Sequence, residues 1–327
     1  MSKMRDSYFD NVKFFLILLV VFGHSLTNLK SEIQAISSLY TFIFLFHMPA
    51  FILISGYFSK HFQRPGYVKK IIKKLAIPYI IFQIAYSAFF YIAGYEPNFS
   101  IPLTTPHWTL WFLVSMLCWK MMIIPFSRMG ILGLPAAIAV GIAAGYVDFI
   151  GTLFSLSRTL VFFPFFYLGY LLRKEHFAVL RRVRVRIFAL PFLVAIYSSC
   201  TFVFPESLQT WVLHNASYHA LHLSNGTGGL IRLGIYTLTA ATIFSFMSLI
   251  PKGRRSFTDL GRNTLYIYLL HGFFIKTIVL FPVYESIRKL YQYSFLLAAS
   301  IALCYLLASR PVRRFTGPII EVKLPGR

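Results

Sequence analysis

The sequence predicts an all-α, polytopic integral membrane protein of about ten transmembrane helices, forming one domain over residues 1–327. Three observations carry this. Of the 327 residues, 57% are hydrophobic and only 13% charged, where an ordinary soluble domain carries about 25% charged residues. Apolar runs near twenty residues recur along the chain, each enough to cross a hydrocarbon core of about 30 Å. Finally, the net charge of +22 is gathered in clusters between alternate runs, the distribution that the positive-inside rule produces. It puts both termini and the basic loops in the cytoplasm. It also argues against nucleic acid as a partner, since no groove-entering motif accompanies the charge.

The elements follow in order. Lys3 and Arg5 precede the first apolar run, 12–29, which ends in Gly-His-Ser without a small-x-small cleavage pattern and is expected to remain as a span. The second span, 37–58, contains Phe46-His47-Met48-Pro49 and Ser55-Gly56. A basic loop follows with Lys60, Arg64, Lys69, Lys70, Lys73 and Lys74. The third span is expected from Leu75, with Pro78 in its first turn, where proline is tolerated. The fourth opens at His107-Trp108 and turns at Arg128 and Gly130. The fifth, 131–147, has Gly141 and Gly145 at a spacing that lets helices approach closely. The sixth starts near Arg158, and a basic block from Arg173 to Arg186 follows it. Spans at 187–204, 230–250, from Asn263, and at 294–309 complete the count. The loop 205–229 lacks Lys and Arg and is expected to cap the outer face.

Within this frame Lys13 and His24 stand out. Eleven steps of about 100° bring them to one face of one helix, about 16 Å apart along its axis. A lysine at the edge of the run snorkels to water; a histidine deeper in the span marks either function or a packing contact with a neighbouring helix. Acyl-coenzyme A, a cytoplasmic anion with a long thin arm, matches the pair, with phosphates at Lys13 and the reactive end at His24. Lys70, Lys73 and Lys74 add phosphate-binding charge, or else only orient the chain and meet lipid headgroups. His47, His107, Arg158 and His271 are the remaining ionisable groups assigned to spans, with Trp108 and Trp111 beside His107 as site walls or as an interfacial belt. None of the ten acids falls mid-span, so a Ser-His-Asp triad has little support and His24 is read as a general base. Cys118, Cys200 and Cys304 are far apart and read as buried hydrophobes. His214, His219 and His222 lack acidic or Cys partners, so no metal or other cofactor is assigned.

The chain resembles the membrane-bound acyltransferase type 3 family, its fucose 4-O-acetylase-like branch in particular. The resemblance rests on Lys13-x10-His24, Phe46-His47-Met48-Pro49 through Ser55-Gly56, and Leu110-Trp111-Phe112-Leu113. It continues through Ser157-Arg158, Pro164-Phe165-Phe166 and Gly169-Tyr170, then Leu260-Gly261-Arg262-Asn263 through Tyr268 to His271. Lys13 and Lys70-x-x-Lys73 stand where the family has arginine, keeping charge but losing the bidentate fork. The resemblance implies ten spans, an acyl-CoA donor and O-acylation of an envelope sugar. On that reading His24 is the base, Lys13, Lys70, Lys73 and Lys74 hold the donor, and His47, Ser55, His107, Trp108, Trp111, Arg158, Asn263 and His271 line the acceptor. Acetyl-CoA is then a co-substrate, the partners are the lipid bilayer and a cell-envelope carbohydrate, and the location is a bacterial inner membrane. The rival readings are a transporter or flippase of a polysaccharide intermediate and a non-catalytic partner of a polymerase. Against the transporter, the two halves show no paired discontinuous helices.

Overall fold

Inside hydrocarbon every backbone N–H and C=O must find its partner within the protein, and this chain meets that demand with helices. The computed structural model describes residues 6–321, except 61, 64, 152, 222, 224, 225 and 285 and the side chains of 149 and 283; among these residues there is no strand. Lys3, Arg5, Arg64 and His222 of the sequence reading lie outside them. In order, the long helices are α1 (Ser7–Leu26), α2 (Gln34–Tyr57), α3 (Tyr67–Ile92), α4 (Trp111–Phe126), α5 (Gly133–Ala143) and α6 (Leu156–Leu171). They continue, with short helices between, as α7 (Lys174–Leu180), α8 (Val183–Phe202), α9 (Leu208–Leu213), α10 (Thr227–Leu249), α11 (Thr258–Arg262), α12 (Thr264–Val279), α13 (Gln292–Leu307) and α14 (Arg310–Ile320).

Seven described stretches are long and apolar enough to cross a membrane, and α13 with α14, bent by 66°, makes an eighth if taken as one span. One of the seven, Trp111–Tyr146, is two helices. Gly130, at φ 55 and ψ −131, breaks it. Tyr167, near the end of α6, donates its hydroxyl to the carbonyls of Phe126 and Gly130. The far end of α5 instead meets the loop after α9, where Gly145 accepts from the Tyr218 N–H. The sixteen-residue α12 is a further, shorter apolar helix among the described residues. Against the ten spans expected, the described residues show seven stretches of span length, or eight with the bent pair.

The two faces are distinct. One collects the start of α1 and the ends of α2, α6 and α10: Tyr8 bonds the Met247 carbonyl, Asn11 the Pro251 carbonyl, and Phe9 stacks on Tyr57. Both ends of the described chain are on this face, as are the clusters Lys69–Lys74, Arg173–Arg186 and Arg254–Arg262. The other face collects the end of α1, the start of α2 and the start of α13, where Tyr293 bonds the Leu29 carbonyl. Exposed apolar side chains on α8, among them Val183, Ile187, Phe188 and Phe202, suit a lipid-facing helix.

Two boundaries differ from expectation. α3 begins at Tyr67, so the basic loop through Lys74 is already helical and Pro78 lies inside the helix. Its ring frees only the Lys74 carbonyl, in a stretch exposed enough for water to satisfy it. α4 begins at Trp111 rather than His107. His107, Trp108 and Trp111 therefore do not take neighbouring positions on one helix, because Trp108 adopts a left-handed φ of 33° that a helix does not allow. Where a proline lies deep in the bundle, a neighbour repairs the loss. Pro49 of α2 leaves the Leu45 carbonyl free, and Thr239 Oγ1 of α10 donates to it at 3.3 Å.

The backbone-to-backbone contact of α2 and α6 fixes the middle of the bundle. A Cβ on Gly56 would fall 1.9 Å from the Phe166 carbonyl oxygen, and one on Gly169 would fall 1.9 Å from that of Leu53. The two glycines thus let each helix seat on the other. Gly169→Ala is expected to lower stability by about 1–3 kcal/mol through forced separation of these helices. Gly234→Ala, in α10 with open space around it, is expected to be neutral. Thermal unfolding in detergent checks the pair; equal melting temperatures would contradict this packing.

Candidate active site

α1 carries both principal residues and delivers them to two different cavities. Near the basic face, a cavity of about 320 Å³ is lined by Lys13, Ser55, Phe58, Leu75, Lys120 and Thr264 among others. Toward the opposite face, a cavity of about 120 Å³ is lined by His24, Tyr40, His47, Trp108, Trp111 and Arg158 among others. Val20, Met48 and Tyr268 line both, so the two cavities adjoin across these three side chains.

In the outer cavity the imidazoles define their own tautomers. His271 is fully buried, and its Nδ1 lies 2.9 Å from the Ile267 carbonyl, one helical turn back. A carbonyl only accepts, so this nitrogen carries the proton and His271 Nε2, when the ring is neutral, is an acceptor. His24 Nδ1 lies 3.0 Å from that Nε2 and must donate to it. The lone pair of His24 is left on Nε2. The orientation is thus that of a base held by a second group on its far nitrogen. His47 repeats the device. Its Nδ1 donates to the Ile43 carbonyl at 2.7 Å, and its Nε2 is buried with no hydrogen-bond partner among the described residues.

Trp108 fixes the wall. Its ring centroid is 4.7 Å from that of His24, with the Lys276 ammonium 5.0 Å over the indole. The strained backbone at Trp108 is held from both sides. His107 before it accepts and donates within a buried set, with its N–H on Gln83 Oε1 at 3.0 Å and its Nε2 2.9 Å from Ser87 Oγ. Thr109 after it receives the Tyr268 hydroxyl at 2.6 Å. Arg158 lies over Trp111 at 5.1 Å and donates from Nε to the Leu213 carbonyl at 3.1 Å.

The inner cavity is set by ion pairs. Lys13 Nζ is 2.7 Å from Asp10, and Asp10 also takes Arg262 Nε at 3.3 Å. The close approach of α11 to α1 needs Gly261, where a Cβ would fall 1.7 Å from the Asp10 carbonyl oxygen. Lys120 of α4 faces the same cavity. It donates to Ser59 Oγ at 2.8 Å, with no carboxylate among the described residues in ion-pair reach.

The structure thus brings His24, His47, Trp108, Trp111, Arg158 and His271 to one end, and Lys13 and Ser55 to the other. Ser55 lies on the basic side, away from the groups with which it was expected. His107 is behind Trp108, held by Ser87, and lines neither cavity. Asn263 is at the basic face, bonded to the Asp259 carbonyl and to Arg313. Lys70 and Lys74 are exposed on the first turns of α3, and Lys73 lines a shallow surface depression with Lys69. Three cations within apolar runs escaped the sequence reading: Lys120, Arg232 and Lys276. The signal was there, since Trp119-Lys120-Met121 interrupts a span with a charge.

With this geometry in place, the comparisons decide the family. A family profile described as an acyltransferase domain matches residues 6–309. The chain belongs to this acyltransferase family. It is also 25% identical over 292 residues to the "Nodulation protein NolL" of Sinorhizobium fredii (strain NBRC 101917 / NGR234), covering 82% of this chain and 77% of that protein. No solved structure matches it. It is accordingly a multi-pass membrane acyltransferase.

For this acyltransferase, His271→Phe retains bulk but removes the acceptor for His24 Nδ1–H. It is expected to lower kcat by at least about 10²-fold, the usual worth of a positioned general base, with little change in the KM of either substrate. A variant with normal kcat would show that the imidazole pair is packing alone.

Proposed function

We propose that this protein transfers an acetyl group from cytoplasmic acetyl-CoA to a hydroxyl of a cell-envelope glycan or its lipid-linked precursor, in a bacterial inner membrane. The observation that carries the reading is that α1 presents a cation to the inner cavity and a correctly oriented base to the outer one, with the two cavities adjoining at Val20, Met48 and Tyr268. The phosphates of the donor meet Lys120 and Lys13 at the basic face, with Lys70, Lys73 and Lys74 drawing the anion toward it. The thin arm passes the shared side chains and brings the thioester to His24.

His24 Nε2 then takes the acceptor hydroxyl proton as that oxygen attacks the thioester carbonyl. The charge that appears on the His24 ring is shared through Nδ1–H with His271 Nε2, and through His271 Nδ1–H with the Ile267 carbonyl. Collapse of the tetrahedral intermediate breaks the carbon–sulfur bond, and His24 returns its proton to the departing thiolate. The products are the acetyl ester and the free thiol of CoA. A carrier of polysaccharide intermediates would have no use for a base held in this tautomer, and the family membership also weighs against it.

The test is incubation of the purified protein with labelled acetyl-CoA and isolated envelope glycan. The label is expected on the glycan as a hydroxylamine-sensitive ester, and His24→Ala is expected to cut its appearance by at least about 10²-fold with protein level unchanged. Unimpaired transfer by His24→Ala would refute the assignment of the base.

The two lysines of the inner cavity are expected to differ. Lys120→Met should raise the donor KM by about 10- to 100-fold, since it removes a charge-assisted bond worth about 1.5–3 kcal/mol. Lys13→Arg, which keeps the pair with Asp10, should change it little. Steady-state kinetics against acetyl-CoA checks both, and a normal donor KM in Lys120→Met would remove Lys120 from the donor site.

A further inference from the structure

The outer cavity has a charge excess that the transfer chemistry does not use. Arg158 lines it, with Nε spent on the Leu213 carbonyl and its plane on Trp111. That leaves the two terminal nitrogens of the guanidinium as donors. Behind the same wall Arg232 is only 1% exposed. It contacts His214 Nδ1, donates to the Trp211 carbonyl at 3.3 Å, and stacks on Trp211 at 4.9 Å. Lys276 stands over Trp108. Among the described residues none of these three cations forms an ion pair with a carboxylate. Glu96 lies 3.6 Å from His107 Nδ1 and Asp148 3.7 Å from His219 Nδ1. Lys13 in the inner cavity, by contrast, is balanced by Asp10.

Uncompensated cations in the interior of a membrane protein are costly and mark a ligand pathway. The hydrogen-bonding capacity of the same cavity has a definite pattern. His24 Nε2 and His47 Nε2 only accept when neutral, and His47, 1% exposed, has no partner for that atom among the described residues. Arg158 only donates. A neutral polyol satisfies the two imidazoles but leaves the guanidinium with neutral oxygens alone. A sugar that also carries a carboxylate or phosphate satisfies all three, with the anion in the two-pronged geometry that arginine favours. The indoles of Trp108 and Trp111 provide flat apolar walls for the ring between them.

We propose that the acceptor is an anionic sugar, with its carboxylate or phosphate seated on Arg158 and a hydroxyl other than the reacting one donated to His47 Nε2. The proposal rests on the transferase reading for calling this sugar the acceptor; the anion site itself does not depend on it. The sugar is held by its charge at one end so that the reacting hydroxyl faces His24.

The experiment uses the full-length protein in nanodiscs and three probes: methyl glucoside, methyl glucuronide and methyl glucoside 6-phosphate. Binding is read first by calorimetry, and transfer from labelled acetyl-CoA second. One of the charged sugars is expected to bind about 10- to 100-fold more tightly than methyl glucoside, the range for a hydrogen bond to a charged group. Which one it is separates carboxylate from phosphate. Arg158→Gln should bring the charged sugar down to the affinity of the neutral one, and Arg158→Lys should restore part of the difference. The comparison of sugars on the unaltered protein stands even if a variant fails to fold. Selective binding without transfer would keep the anion site and count against the transferase reading of it. Equal binding of the three, binding of none, or a preference that survives Arg158→Gln would overturn the proposal. An equal loss of turnover on charged and neutral sugars in Arg158→Gln would overturn it too, by assigning Arg158 to the reacting carbonyl.

Discussion

A buried imidazole needs an acceptor for the N–H it carries, and the hydrogen bond between His24 and His271 settles how α1 and α12 must lie. Once His271 is committed to the Ile267 carbonyl, only one arrangement of protons satisfies the neutral pair, and it leaves the lone pair of His24 facing the cavity. The surroundings protect that arrangement. Tyr86 donates to the Leu269 carbonyl beside His271. Tyr268 ties α12 to Thr109, and the chain between Thr109 and His107 is thereby held in the left-handed turn that lays Trp108 on His24. At the other end of α1, Gly261 lets α11 sit against Asp10 so that Arg262 and Lys13 share one carboxylate. The motif running from Leu260 to His271 thus reaches from the inner cavity to the outer one. Its first residues brace Asp10 and its last holds His24.

Charge is arranged with the same economy. Where a cation supports structure it is paired, as Arg262 is through Asp10, and Lys13, which also lines the inner cavity, shares that carboxylate. Where it faces a cavity it is left to a hydroxyl or an aromatic ring, as Lys120 is to Ser59 and Arg158 to Trp111. The unpaired cations occur in both cavities, consistent with anionic groups arriving from both sides of the shared side chains Val20, Met48 and Tyr268.

Most of the architecture could be read from the sequence because membrane helices announce themselves by length and apolarity, and alternate basic loops give direction. The shared face of Lys13 and His24 needed only helical geometry, and α1 carries both without a break. What could not be read was set by contacts distant in sequence. Nothing around Trp108 signals a positive φ; it follows from Gln83, Ser87 and Tyr268 holding its neighbours. Ser55 and Asn263 are in the right motifs but at the basic end, because helix spacing alone does not say at which depth a neighbouring helix crosses. A proline such as Pro78 suggests a first turn, but one whose freed carbonyl is near solvent can stay inside a helix. Lys120 was overlooked although its position in an apolar run was plain, because the loops carried so many stronger basic clusters.

The central claim is that donor and acceptor reach one base from opposite faces. Sealed vesicles holding the protein in a known orientation test it most directly, with labelled acetyl-CoA supplied to one face at a time. The account predicts label on glycan only when acetyl-CoA is present on the face of Lys13, Lys120 and the basic loops. Labelling that requires acetyl-CoA on the face of His24, Trp108 and Trp111 would contradict it.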